Sequence, residues 1–186
     1  DMFAGPPQPE DVSEDNVIAL PDRAAEVPEQ PRPPETPLEA GIADIQKADQ
    51  NFDFEEFKNG ARAAFEMVVI AFGEGDTDVL RRLLSDEVYE NFASAINDRE
   101  ARNQQHESTL VGIDVAEPIE ASMDGRMAAI TLKYVSEQVN ATRDSTGEVV
   151  EGDPSAVVTV TDIWTFARDV SSSDPNWTLV ATRSPN

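Results

Sequence analysis

The chain has 186 residues and a formal net charge of -23, from 37 acidic and 14 basic side chains. This charge repels the phosphate backbone and no concentrated basic stretch offsets it, so nucleic-acid binding is not expected. The absence of cysteine excludes disulfides and thiolate chemistry. A single histidine, His106, excludes a multi-histidine metal site within one chain. We therefore expect neither a metal nor a cofactor.

The first 37 residues are rich in proline and acidic side chains, and they hold nine of the 13 prolines. Few large apolar residues occur there, so this segment cannot bury enough surface to offset the entropy of ordering. We predict a disordered linker over 1–37, with docking of the apolar residues 17–20 on a partner as the alternative. The chain begins with Asp1 and contains no run of ~20 apolar residues. We expect a membrane segment to lie upstream of it.

A short amphipathic helix is predicted over 38–51, with Ile42 and Ile45 on one side. Its charge is mostly acidic, so it lacks the basic face that is typical of membrane-surface helices. This helix has two possible states: it packs on the following domain, or it stays loosely helical.

The compact domain is predicted over 52–186. Asp53 and Glu56 have the spacing of a capping box, which marks a helix start. Apolar residues then recur at steps of three and four, as on one face of a helix: Phe54, Phe57, Ala61, Phe65, Val68 and Phe72. Asp76 and Ser85 are predicted to cap two further helices.

After residue 105 the apolar period changes from about 3.6 residues to about 2, which indicates strands. One predicted strand has Thr109, Val111, Ile113 and Val115 on the same face, and the next has Ala128, Ile130, Leu132 and Tyr134. The dipeptide Asp124-Gly125 predicts a hairpin turn, and the polar stretch 140–154 predicts a long loop. Helices followed by four strands predict an α+β domain. In it, N-terminal helices pack on a curved four-stranded antiparallel sheet.

A curved sheet with helices on one face encloses an interior, which is either a filled core or a partly open apolar ligand pocket. The candidate pocket residues are Phe65, Phe72, Tyr134, Asp162, Trp164 and Phe166. Sequence motifs for phosphate binding, serine nucleophiles and zinc hydrolysis are absent, so we assign no catalytic and no metal-binding residues.

Two titratable residues have alternative interpretations. Apolar neighbours on its strand face would raise the pKa of Asp162, which could then act as an acid or base with Tyr134. An ion pair with Arg168, on the same face, or backbone hydrogen bonds would instead satisfy this carboxylate. His106 is interpreted as a solvated surface histidine, with a general base as the alternative.

Several segments resemble the C-terminal domain of the Tim44 family, the mitochondrial import-motor adaptor and its alphaproteobacterial relatives. They are 54–76, 80–92, 147–154, 162–169 and 174–182, and the most specific are the tryptophan-containing strand DIWTFARD and the DPNW turn. The resemblance implies a cystatin-like cone of the nuclear-transport-factor-two type. The family provides no catalytic residues to carry over.

The resemblance also implies a non-enzymatic adaptor or scaffold, tethered to a bacterial inner membrane with this domain on the cytoplasmic side. Its expected partners are translocase or other membrane-complex subunits, with a chaperone as a further candidate. The partner-binding residues are not identified by the sequence. The alternative is a small-ligand-binding or lyase/isomerase-type cone that uses Asp162 and Tyr134.

Overall fold

The computed structural model describes residues 36–185, so the predicted linker and its apolar residues 17–20 lie outside the described part of the chain. Within that part, four helices precede five strands, and the predicted α+β class is confirmed. The elements are α1 Pro37–Ala48, α2 Phe54–Glu74, α3 Thr77–Leu83, α4 Asp86–Ala101, β1 Gln105–Asp124, β2 Met127–Arg143, β3 Val149–Gly152, β4 Val158–Asp169 and β5 Thr178–Arg183.

The predicted helix starts are confirmed by their capping bonds. Asp53 Oδ1 accepts a hydrogen bond from the amide of Glu56 at 3.0 Å. Asp76 and Ser85 cap α3 and α4 in the same way, at 3.2 Å and 3.4 Å. At its other end α2 stops at Gly75, whose φ of 72° is accessible to glycine at little cost.

The helix predicted before the domain is present as α1, and it packs on the sheet. Ile42 and Ile45 are buried in the same core as the residues of α2. Gly41 lies so close to β1 that an added Cβ would overlap the carbonyl oxygen of Ala121. A glycine at this point therefore allows α1 to approach the strand.

All strand pairs are antiparallel, in the order β1-β2-β4-β5, and β3 pairs with β2 beyond the start of β4. The prediction of a long loop over 140–154 is wrong in part, because β2 continues to Arg143 and β3 forms a fifth strand. A tight turn joins them. In that turn Asp144 Oδ1 accepts bonds from the amides of Thr146 and Glu148, and Gly147 has a positive φ of 84°.

The predicted alternation along β1 is interrupted. Register shifts occur between Leu110 and Gly112, between Ile113 and Val115, and further along the strand. Each bulge inserts a residue and reverses which face the following side chains occupy. Val111, which lies at the first shift, was predicted on the same apolar face as Ile113, but Val111 is 53% exposed while Ile113 packs against the core.

The core lies between α2 and the central strands. The predicted stripe of α2 provides Phe57, Ala61, Phe65 and Val68, all buried. The alternation predicted along β2 is also observed, because Ala128, Ile130, Leu132 and Tyr134 are all buried. Burying these side chains is the main source of the stability of the fold.

Candidate functional site

The predicted pocket residues on α2, β2 and β4 pack against one another as aromatic rings. Phe65 stacks on Tyr134 with ring centroids 4.3 Å apart, and Trp164 lies 4.7 Å from Phe65. All three rings are buried, and Phe65 and Tyr134 have no exposed surface. Phe166 contacts Trp164 at 6.5 Å and continues the packing toward Phe57 at 6.3 Å. Four of the six candidate residues therefore form one contiguous buried cluster.

The hydroxyl of Tyr134 is engaged by α2. It donates a hydrogen bond to the carbonyl oxygen of Ala61 at 2.8 Å. Burial raises the pKa of Tyr134 far above its usual range, so the phenol stays protonated. The bond fixes the central strand to the long helix.

Asp162 lies directly opposite Tyr134 in the β2–β4 ladder, but it is only partly buried. Its Oδ1 accepts a hydrogen bond from Ser184 Oγ at 3.2 Å. Burial raises the pKa of Asp162, and the bond from Ser184 opposes that shift.

The ion pair considered between Asp162 and Arg168 is not formed. Six residues of extended strand separate the two by about 20 Å. Arg168 instead pairs with Asp49 at 2.8 Å.

Phe72, the remaining candidate, lies apart from this cluster. Its ring packs on Phe92 with centroids 5.2 Å apart and faces His106 at 6.3 Å. It lines a cavity of about 450 Å³ between α4 and the adjoining ends of β1, β2 and β3. The other five candidates do not line this cavity.

A row of hydrogen-bonded polar side chains separates the aromatic cluster from the cavity. Gln138 Nε2 donates to Ser136 Oγ at 2.9 Å, and Asn140 Nδ2 donates to Gln138 Oε1 at 3.1 Å. Ser108 Oγ then donates to Asn140 Oδ1 at 2.8 Å. Ser136 and Gln138 are buried, so these mutual bonds offset the cost of removing them from water. This part of the interior is therefore polar rather than apolar.

His106 is not the solvated surface residue that the sequence suggested. It is partly buried, and its Nδ1 lies 3.2 Å from Thr142 Oγ1. Burial and, to a lesser extent, the charge of Arg99 lower the pKa of His106, while Glu151 acts in the opposite direction. The imidazole is therefore neutral near pH 7.

Two arginines at the end of α4, which no sequence motif indicated, complete the cavity. Arg99 Nη2 donates to the carbonyl oxygen of Phe72 at 2.6 Å, which holds the last turn of α2. Arg102 lines the cavity from an exposed position. The available signal was the local clustering of Arg99, Arg102 and His106 in a chain that is otherwise acidic.

The described residues contain no helix long and apolar enough to cross a membrane. Across residues 36–185, no group of three or more His, Asp or Glu side chains is arranged to hold a metal ion. The described part therefore has a packed aromatic interior, and the cavity at Phe72 and His106 lies beside it.

Residues 38–184 match the model of the Tim44-like domain. The human mitochondrial import inner membrane translocase subunit TIM44 is 26% identical over 141 residues, which are 75% of this chain and 31% of that protein. The probable translocase subunit tin-44 of Caenorhabditis elegans is 24% identical over 136 residues, 72% of this chain and 32% of that protein. The chain thus spans about a third of the length of these curated relatives.

Among solved structures, the intermembrane-space region of the chloroplast protein ARC6 aligns with a TM-score of 0.46 and 17% identity, over 67% of this chain and 95% of that one. The family model covers most of the chain, from the start of α1 to the end of β5. This confirms the resemblance seen in the sequence, and the chain belongs to the Tim44-like domain family.

Proposed function

We propose that this chain is a non-enzymatic adaptor or scaffold domain that assists protein translocation, or membrane-complex assembly, through protein–protein contacts. The observation that carries the proposal is the match of residues 38–184 to the Tim44-like domain. The curated relatives are named as subunits of the mitochondrial import inner membrane translocase.

The interior of the domain supports a role without catalysis. Phe65, Tyr134 and Trp164 fill the space between helix and sheet. The hydroxyl of Tyr134 bonds to Ala61, and Tyr134 does not line the 450 Å³ cavity. An acid/base pair of Tyr134 with Asp162 would require that bond to break.

The setting we propose is a bacterial inner membrane, with the domain facing the cytoplasm and a tether outside this chain. The proposed partners are translocase or other membrane-complex subunits, and a chaperone is a further candidate. A net charge of -23 favours basic protein surfaces as partners and steers their approach. No cofactor is part of the proposal.

Affinity purification tests the proposal directly. The natural full-length protein that carries this domain would be crosslinked in native membranes, purified and analysed by mass spectrometry. A bait that lacks residues 38–184 is the control. We expect translocase or membrane-complex subunits to be enriched only with the intact bait. Equal recovery with both baits would contradict a role for the domain.

A second candidate function is the binding of a small polar ligand, which the 450 Å³ cavity favours. Arg102 and the free ring nitrogen of His106 could donate or accept bonds there, against the ring of Phe72. Native mass spectrometry of the freshly purified chain would detect a bound small molecule. Loss of that molecule in an Arg102→Gln variant, but not in Arg81→Gln, would support this candidate.

A further inference from the structure

The two edges of the sheet are protected to very different degrees. Exposed edge strands carry unpaired backbone groups that can pair with another chain, and proteins normally blunt them with charges, proline, bulges or covering elements. β1, at one edge, has all of these. It contains three register shifts, it is packed by α1, and Arg62 Nη2 donates to the carbonyl oxygen of Ile113 at 3.0 Å. It also has Pro118 and the exposed acids Glu107, Asp114, Glu117, Glu120 and Asp124.

The opposite edge is open along the first part of β4. β5 pairs with β4 only from Ile163 to Ala167, whereas β2 pairs with β4 as far as Val158. Residues 158–161 therefore have a neighbouring strand on one side only within the described part of the chain. Alternate residues of such a strand direct their N–H and C=O groups outward, away from β2. We call residues 158–161 the open edge.

The open edge lacks the charges, the proline and the bulges that protect the edge strand β1. Residues 154–161 contain no charged side chain, although the chain has a net charge of -23. The register of β2 with β4 runs without a shift. Val157 and Val158 are 58% and 43% exposed, and the open edge itself consists of valine and threonine, which favour strands.

We propose that the open edge is a docking site that takes an extended segment of a partner polypeptide by strand addition. Backbone bonds from the partner would satisfy the outward groups, and exposed valines would contact its alternate side chains. This inference rests on the proposed function in taking the partner to be a polypeptide. It adds where that partner binds and in which conformation.

Charge identifies the kind of segment. The acids Glu151, Asp153 and Asp162 flank the uncharged residues on both sides. A second copy of the chain would bring another net charge of -23 to this site, and like charges oppose association. The occupant that fits is a β-branched, uncharged segment with basic residues at its ends.

The test uses the 186-residue chain and a labelled peptide, Lys-Thr-Val-Thr-Val-Thr-Lys, with binding followed by fluorescence anisotropy. A peptide with glutamate at both ends is the charge control. Val158→Lys places a positive charge at the open edge, which repels the lysines of the peptide. Val111→Lys is the matched control, since Val111 is 53% exposed on the opposite edge strand.

We expect the lysine-ended peptide to bind and the glutamate-ended peptide not to bind. V158K should raise the Kd about tenfold through lost cross-strand contacts and repulsion, while V111K leaves it within about twofold. Hydrogen exchange provides a second readout, in which the peptide slows exchange of amides within residues 158–161.

Four outcomes would overturn the inference. An equal increase of the peptide Kd in V158K and V111K would indicate that the peptide is held by general attraction to the acidic chain. Protection along β1 would place the peptide at the other edge. A dimer that V158K converts to a monomer in sedimentation would assign the open edge to a second copy. If V158K still captures membrane-complex subunits in the crosslinking experiment but no peptide effect is seen, the adaptor function stands and the open-edge site does not.

Discussion

Arg168, near the end of β4, forms an ion pair with Asp49, which follows α1; Nη1 and Oδ2 are 2.8 Å apart across 119 positions of sequence. The side chains are only 13% and 16% exposed, in that order. Arg168 also donates to the carbonyl oxygens of Ser172 and Asp174. One side chain thus connects the end of α1, the sheet and the turn before β5.

The first prediction concerns this pair. Asp49→Ala would leave the mostly buried guanidinium of Arg168 without its carboxylate, at a cost of about 3 kcal/mol in the free energy of unfolding. Urea denaturation measures the change. Asp44→Ala, at an exposed position of α1, is the control and should cost little. Equal effects of the two substitutions would show that the ion pair contributes nothing.

The second prediction concerns the hydroxyl that joins β2 to α2. Tyr134→Phe removes the buried hydrogen bond to the carbonyl oxygen of Ala61 and should lower the free energy of unfolding by about 1 kcal/mol. The control is Tyr89→Phe, since the Tyr89 ring is half-buried under Arg81. If both variants unfold at the same urea concentration as the parent, the bond from Tyr134 is not stabilising.

The third prediction contrasts two helical glycines. Gly41→Ala would force α1 away from the backbone of Ala121 and should destabilise the fold by about 1–3 kcal/mol. An added Cβ at Gly60, within α2, would contact nothing. Gly60→Ala should therefore stabilise by about 1 kcal/mol through helix propensity. Thermal unfolding followed by circular dichroism measures both, and the same sign for the two would refute this account of α1 packing.

The fourth prediction is the titration of His106, which gives a single NMR curve because the chain has one histidine. We expect a midpoint below the usual value of about 6.5, chiefly through burial. Glu151→Gln should lower the midpoint further, and Arg99→Gln should raise it in part. These opposite shifts distinguish charge effects from unfolding, which would move both variants toward the ordinary value.

The same group makes stability depend on pH. Its folded pKa is lower than its unfolded pKa, so protonation favours the unfolded chain. The contribution of His106 is thus complete above the unfolded pKa and is lost as pH falls through that value toward the folded one. His106→Gln should make the stability curve flatter below about pH 6.5. An unchanged slope would exclude His106 as its source.

The fifth prediction concerns Asp162, whose folded pKa is raised by burial. Its ionised form therefore opposes folding at neutral pH, and the penalty disappears as pH falls through the folded pKa. Asp162→Asn should be more stable than the parent at pH 7, with a difference that narrows on acidification. A variant that is less stable at pH 7 would show that the bond from Ser184 outweighs burial.

The helix starts were well predicted from short stretches of sequence, because the interactions that start a helix involve residues close together in the chain. Asp53, Asp76 and Ser85 cap helices through amides three residues away, which a short stretch of sequence already contains. The alternation of buried and exposed residues along β2 was equally predictable, because pairing with β1 and β4 inserts no extra residue into β2. β3 was missed because its four residues form a strand only by pairing with the end of β2.

The structure divides the candidate pocket residues between two places. Phe65 and Trp164 contact each other in the buried aromatic cluster, whereas Phe72 packs on Phe92 beside the cavity. Periodicity assigns residues to a face of an element, but it does not reveal which residues of another element they meet. The polar cavity at His106 and the pairing of Arg168 with Asp49 depend on these contacts between residues of different elements.

By itself, the sequence determined the family, the helix starts and the core-facing residues of α2 and β2, because capping, periodicity and motif are properties of neighbouring residues. Only the tertiary structure decided that Tyr134 bonds to Ala61, that Arg168 pairs with Asp49, and that β5 pairs with β4 only from Ile163 to Ala167. Each of these pairings joins segments distant in sequence. Their geometry follows from how the helices pack on the twisted sheet, which no local pattern specifies.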